Sequence, residues 1–225
     1  GPPGTGKTML AHALANTAGI HLEKTSYSDC QKCGHQGDML RELNAAADRA
    51  VMSAPSVFFI DEIDSFYNRE MSQSGYMIGV VNGALTLIDR LLATDGVIVI
   101  AATNDPARVD PAVIRSGRFD RHISVGPPDR AGIRAMLETE MVKDLSNSCL
   151  AQIADQLLGL SGAEVAAVIR DARTRARASD RELTLTDLQA AADAVQPCPD
   201  PDLLWRVCVH EAGHVVAGHL LGLPP

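Results

Sequence analysis

The chain has 225 residues, 46% hydrophobic and 21% charged, with a net charge of −8, a sequence pI near 5.3 and a mean hydropathy of +0.01. That is the composition of a soluble globular protein long enough for one large or two ordinary domains, and its acidic balance argues against nucleic acid as a general partner. Five cysteines in no regular framework fit a reducing, cytoplasmic setting; no signal peptide is present and no apolar run reaches the roughly 18 residues needed to cross a bilayer.

The chain opens on a phosphate-binding pattern: Gly1, Pro2, Pro3, Gly4, Thr5, Gly6, Lys7 and Thr8 fit G-x-x-x-x-G-K-[ST]. Gly4 and Gly6 let the backbone turn where a Cβ would clash, so that successive N–H groups can point at phosphate oxygens. Lys7 can then reach the β- and γ-phosphates, and the Thr8 hydroxyl can ligate Mg²⁺. The apolar residues Met9, Leu10, Ala13 and Leu14 predict a helix from Lys7 to Ala18, stopped by Gly19, with its positive end toward the phosphates. A loop of this kind is normally fed by a strand, and none precedes Gly1; the chain also stops on Leu-Gly-Leu-Pro-Pro in mid-architecture. A fragment of a longer protein is therefore expected.

Alternation from Ile20 to Thr25 predicts a strand. Cys30, Cys33 and His35 form C-x-x-C-x-H, but no second ligand pair follows nearby, which weighs against zinc there. Asp38 can cap a helix to about Met52, with Met39, Leu40, Leu43, Ala47 and Ala50 on one face and Pro55 beyond its end. Val57 to Ile60 reads as a buried parallel strand, Tyr76 to Leu92 as an apolar helix, Val97 to Ala101 as a second buried strand and Ile123 to Val125 as a third. Strands alternating with helices predict an α/β domain over residues 1–128, with a parallel sheet and crossover helices.

Beyond Gly126, Pro127 and Pro128 the β pattern ends. Residues 129–196 read as helical throughout, with capping boxes expected at Ser161 with Glu164 and at Thr186 with Gln189. A Pro-rich linker follows, and Asp200 with Pro201 starts a new helix in residues 202–225.

Three groups of residues carry chemistry. Asp61 and Glu62 end an apolar strand, where parallel sheets bind ligands; their expected roles are Mg²⁺ binding for Asp61 and polarising the attacking water for Glu62, against the alternative of a solvated acidic turn. Asn104, at the end of the next strand, could orient that water, sense the γ-phosphate, or form only a turn. The basic run from Arg115 to Arg121 is either a salt-bridged surface loop or an arginine finger that neutralises transition-state charge. In the last helix His210 and His214, at i and i+4, face one way and can bind one Zn²⁺, leaving Glu211 to activate water; alone, such a pattern can also be two core histidines beside a paired glutamate. Leu203 and Val207 are expected to set this face against a core. His219 falls outside the spacing.

Together GPPGTGKT, Phe58–Asp64 (FFIDEID), Ala101–Asn104 (AATN) and Arg115–Arg121 (RSGRFDR) resemble the AAA+ ATPases in order and spacing. With the zinc motif added, the chain resembles the FtsH family of ATP-dependent zinc proteases nearly end to end. The resemblance implies a P-loop AAA+ α/β domain, an all-α lid bearing Ala163 where other branches carry a sensor arginine, and the first helix of an α-helical zinc metalloprotease domain. It further implies ATP, Mg²⁺ and Zn²⁺ as cofactors, a homo-oligomeric and usually hexameric ring, and unfolded or misfolded proteins as substrates. Arg115 and Arg118 would serve the neighbouring subunit's nucleotide, a third, acidic zinc ligand would lie beyond Pro225, and any membrane anchor would come from segments absent from this chain, leaving this part on the cytoplasmic side. The chain departs from the family at Gln31–Gly37, where no pore aromatic is present to grip a substrate, and at Ser74–Gly83, which is mostly apolar where the family is charged. The alternative reading is a remodelling ATPase with a vestigial protease, and a third is a nucleotide-binding scaffold with weak turnover.

Overall fold

A computed structural model describes residues 1–26, 36–65, 75–115, 117–140, 147–197 and 200–222. Three strands, β1 (His21–Ser26), β2 (Ser56–Asp61) and β3 (Val97–Ala101), pair in parallel in that order. The register sets Leu22 beside Val57 and Ser26 beside Asp61, and Phe58 beside Val99. Side chains alternate across a strand, so β2 divides its apolar residues between two layers. Val57 and Phe59 pack with Ala11 and Ala15 of α1 (Lys7–Ala18). Phe58 and Ile60 pack with α2 (Gln36–Met52) and α3 (Gly75–Leu92), through Leu43 and Ala47 on one helix and Val81 and Ile88 on the other. Phe58 and Phe59 are 0% and 1% exposed; burial of this completeness is worth about 2–3 kcal/mol for each ring. Hydrophobicity on both faces of one strand is what anchors the end of that strand, and the site with it.

The face of α1 that packs differs from the one its large residues suggest. Met9, Leu10 and Leu14 are 75%, 51% and 43% exposed, while the small Ala11 and Ala15 meet the sheet at 2% each. Small side chains let the helix axis approach the strands closely, which keeps its first turn near the strand ends. Gly19 closes α1 in the left-handed conformation, donating to Ala15 and Asn16 carbonyls.

Ile123 to Val125 does not form the expected strand: the stretch has no assigned secondary structure, and Ile123 is 72% exposed. A strand is defined by its ladder, and among the described residues none runs beside these three.

The chain divides into two compact units. The first comprises Gly1–Pro128 with Ser161–Ala163, the second Asp129–Leu160 with Glu164–Pro225. The core of the second is built by α4 (Arg130–Glu140), α5 (Asn147–Gln156), α6 (Gly162–Ala178) and α7 (Leu185–Val195), with Leu137, Ile153, Leu157, Val165 and Leu188 each no more than 1% exposed. The capping box of α7 lies two residues earlier than the expected Thr186 with Gln189. Asp187 accepts the Thr184 N–H at 3.0 Å and the Thr184 hydroxyl at 2.7 Å, and Gln189 instead donates to Gln156 and Asp193. A carboxylate takes more hydrogen bonds than an amide oxygen and suits the positive end of a helix better, so it wins the cap.

The last helix, α8 (Pro201–Leu220), starts on the expected signal, with the Asp200 carboxylate accepting from Asp202 N–H and Pro201 in the first turn. Leu203 and Val207 do not meet a core as expected: they are 56% and 48% exposed. The reason is the absence of a facing element among the described residues, since every described residue of α8 except Gly218 is exposed. Among the described residues no helix is long and apolar enough to cross a membrane.

Candidate functional site

The loop before α1 takes the backbone its glycines allow. Gly4 and Gly6 have φ of +75° and +90°, values at which any Cβ is strained. At Gly4 a Cβ would also lie 2.9 Å from that of Ala163, whose N–H donates to the Gly4 carbonyl at 2.9 Å. Gly6 is the N-cap of α1 and supplies no side chain to its first turn, so the opening amides of that helix are free for an anion. Thr5 closes the loop on itself, its hydroxyl donating to the Pro2 carbonyl at 2.9 Å.

Lys7 is fully engaged within this unit. Its ammonium donates to the carbonyls of Gly1 and Pro2 at 2.8 and 2.7 Å and to Asn104 Oδ1 at 2.8 Å. Three N–H bonds meet three acceptors, all uncharged, so an arriving phosphate offers Lys7 a stronger charge-assisted partner. Asn104, 97 residues away, thereby shares one point with the loop.

Thr8 and Asp61 form the second junction. The Thr8 hydroxyl donates to Asp61 Oδ2 at 2.8 Å across 53 residues of sequence. Asp61 belongs to the same pleat set as Val57 and Phe59, which face α1, so strand parity and the first turn of α1 bring the two oxygens together. A hydroxyl beside a carboxylate, with phosphate oxygens to come, is the hard oxygen set that Mg²⁺ takes. Glu62 follows with φ of +53°, a left-handed conformation uncommon outside glycine. That turn breaks the strand alternation and leaves Glu62 exposed while Ile63 and Asp64 return to the interior.

The two arginines separate. Arg118 grips Asp89 of α3 with a fork, Nε to Oδ1 and Nη2 to Oδ2 at 2.6 Å each, and donates to the Ala112 carbonyl at 2.7 Å. The hydrogen bond from Arg118 holds the Asp89 carboxyl below the usual range and raises the guanidinium in turn. Arg115 is exposed, and among the described residues no side chain pairs with it.

On α8, His210 and His214 converge. Their Nε2 atoms lie 2.9 Å apart and their rings meet edge to face with centroids 4.6 Å apart. At that separation the two nitrogens share a hydrogen bond, and an i, i+4 imidazole pair could supply two ligands to a zinc ion; among the described residues no group of three or more His, Cys, Asp or Glu could hold a metal. Glu211 and His219 are exposed on the same helix. Cys30, Cys33 and His35, residues 31–35 of the Gln31–Gly37 stretch, and Ser116 lie outside the described residues.

One residue at the nucleotide end escapes a motif reading. Lys24 of β1 sets its Nζ 3.2 Å from Asp61 Oδ2. Its signal in the sequence is the strand period: it stands two residues after Leu22 and two before Ser26, on the face of the sheet that receives α1.

Residues 1–127 match the family described as ATPase family associated with various cellular activities (AAA). The chain is 39% identical over 232 residues to the ATP-dependent zinc metalloprotease FtsH 1 of Symbiobacterium thermophilum, covering 97% of this chain and 39% of that protein. It is 36% identical to FtsH 4 of Sphaerobacter thermophilus, covering 97% of this chain and 35% of that protein, and 37% identical to FtsH 3 of Phytoplasma mali, covering 97% and 39%. The chain thus spans 35–39% of the length of these curated relatives.

Proposed function

The chain belongs to the AAA family of ATPases, as an FtsH-type member, and from that premise we propose that the protein couples ATP hydrolysis to unfolding and zinc-dependent cleavage of protein substrates. The convergence of Lys7, Thr8, Asp61 and Asn104 around one loop and two strand ends is the observation that carries the ATPase half. In this reading Lys7 and the first amides of α1 bind the phosphates, and Thr8 and Asp61 hold Mg²⁺, whose charge offsets that of the phosphates. Glu62 takes up the proton of the attacking water, and Asn104, released by Lys7, orients that water or the γ-phosphate. Arg115 reaches the nucleotide of a neighbouring subunit in a hexameric ring, while residues 129–196 act as the lid.

The protease half is supported by the paired imidazoles on α8 and by the names of the relatives. His210 and His214 would hold zinc together with an acidic ligand from beyond Pro225; zinc, when bound, supplies Lewis acidity for peptide hydrolysis. Glu211 accepts the proton of the water that attacks the peptide carbonyl. Substrates are unfolded or misfolded proteins, and this part of the protein works on the cytoplasmic side.

The deciding experiment separates binding from turnover at the nucleotide site. In the full-length protein Lys7→Ala is expected to lose nucleotide binding, because a phosphate-neutralising charge is gone. Glu62→Gln is expected to bind ATP and hydrolyse it on the order of 10²-fold or more slowly, since only proton removal is impaired. Equal loss of affinity in both variants, by titration with a fluorescent nucleotide, would contradict these roles.

A further inference from the structure

The parity that turns Asp61 toward α1 turns Lys24 the same way. Leu22 and Val57 are register partners and both pack in the α1 layer; Lys24 with Phe59 and Ser26 with Asp61 are the next two steps on that face. Glu23, on the opposite face, is taken by Arg49 of α2 at 2.8 Å. Lys24 therefore runs along the sheet toward the strand end, where its Nζ lies 3.2 Å from Asp61 Oδ2. That same oxygen accepts the Thr8 hydroxyl, and the other one accepts the Glu62 N–H at 3.1 Å. One carboxylate oxygen thus serves an ammonium and a hydroxyl at the point where a divalent cation would enter.

We propose that Lys24 is a positioning residue of the nucleotide site, which holds Asp61 when no cation is bound and sets the Mg²⁺ concentration at which nucleotide loads. The inference rests on the reading of Thr8 and Asp61 as the Mg²⁺ ligands. An ammonium and Mg²⁺ cannot share one oxygen without repulsion, so the cation must displace Lys24 to bind. The Lys24 side chain is 40% exposed, so its flexible stem can swing into water when it is displaced. Pairs this exposed contribute little to folding, so the consequence falls on cation binding and not on the fold. Mg²⁺ gives up its water reluctantly and relies on one or two carboxylates beside phosphate; partial neutralisation of its single carboxylate here raises the concentration it needs.

The test is the binding of a fluorescent ATP analogue to the full-length protein at stepped Mg²⁺ concentrations, for the parent chain, Lys24→Met and Lys24→Arg. Lys24→Met is expected to lower the Mg²⁺ midpoint about three- to tenfold, the size of one like charge acting through partly screened solvent. Lys24→Arg, which keeps the cation, is expected to stay near the parent value, and a melting curve for each variant separates the effect from misfolding. A Mg²⁺-dependent parent with an unmoved or raised midpoint in Lys24→Met overturns this inference alone. A parent that binds the analogue with no Mg²⁺ dependence removes the Thr8–Asp61 reading and the inference with it.

Discussion

Arg115 and Arg118 are three residues apart in a basic run, yet their surroundings differ. Arg118 is bound within its own chain by the fork to Asp89 and the bond to the Ala112 carbonyl, which ties the loop to α3. Asp89 is half exposed, so the pair is partly screened and worth about 1 kcal/mol. Arg118→Ala is therefore expected to lower the melting temperature by roughly 2–4 °C, the shift that such a loss gives a chain of this size. Arg115→Ala is expected to leave melting unchanged and to reduce ATP turnover by about 10³-fold or more, as the loss of a finger acting in trans does. Mixing inactive Arg115→Ala with inactive Glu62→Gln subunits should restore part of the turnover, because some sites then combine an intact Glu62 with a neighbour's intact arginine. Assemblies of proven hexameric size that show no rescue would return Arg115 to the surface loop.

At the scale of the element, the cap of α7 couples a helix start to pH. Asp187 accepts a fork from Arg181, including a 2.6 Å bond to Oδ1, together with the hydroxyl and amide of Thr184. The bond from Arg181 first, then those from Thr184, hold the Asp187 carboxyl well below the usual range. A carboxyl depressed in the folded state binds its proton more readily when unfolded. Its stabilising contribution is therefore complete above the unfolded value near 4 and is lost as pH falls from there through the folded value. Asp187→Asn is expected to lower the urea midpoint at pH 7, and the difference from the parent should narrow progressively below about pH 4. A difference that stays constant into that acid range would show that the carboxylate's charge is not what the cap uses.

For the whole molecule the zinc reading turns on how many ligands the chain brings together. Structural and catalytic zinc sites take three or four protein ligands, and the described part of the chain brings two imidazoles together on an exposed helix. Without partners to fix their tautomers and ring planes, such a pair binds metal weakly. Residues 1–225 alone are expected to carry far less than one zinc per chain by metal analysis. In the full-length protein, Glu211→Gln should abolish cleavage of an unfolded substrate while sparing zinc content and ATP turnover. A one-to-one zinc load on residues 1–225, or cleavage that survives Glu211→Gln, would sink the protease reading. ATP turnover without any chelator-sensitive cleavage in the parent would favour the remodelling ATPase.

Local signals were legible in the residues themselves. The helix from Lys7 to Ala18, its Gly19 stop and the span of the strand at Val97–Ala101 fall where periodicity and capping residues put them, because turn chemistry and side-chain period act over a few neighbouring positions; the expected burial of that strand does not follow, since it ends the described sheet and Ile98 is 49% exposed. The motif positions were equally plain, since the spacing within each is short. Contacts between distant segments were not. That Ala11 and Ala15 face the sheet while Met9, Leu10 and Leu14 do not depends on how closely a helix can approach it. That Ile123–Val125 forms no strand depends on what lies beside it, and the cap at Thr184 on which acceptor outcompetes another. Arg118 meets Asp89 across 29 residues, and Lys24 meets Asp61 through strand register. The sequence by itself determined which elements form and which reactive groups stand at their ends; the tertiary structure decided which faces are covered and which charges meet, because both follow from packing between elements whose relative placement no local period encodes.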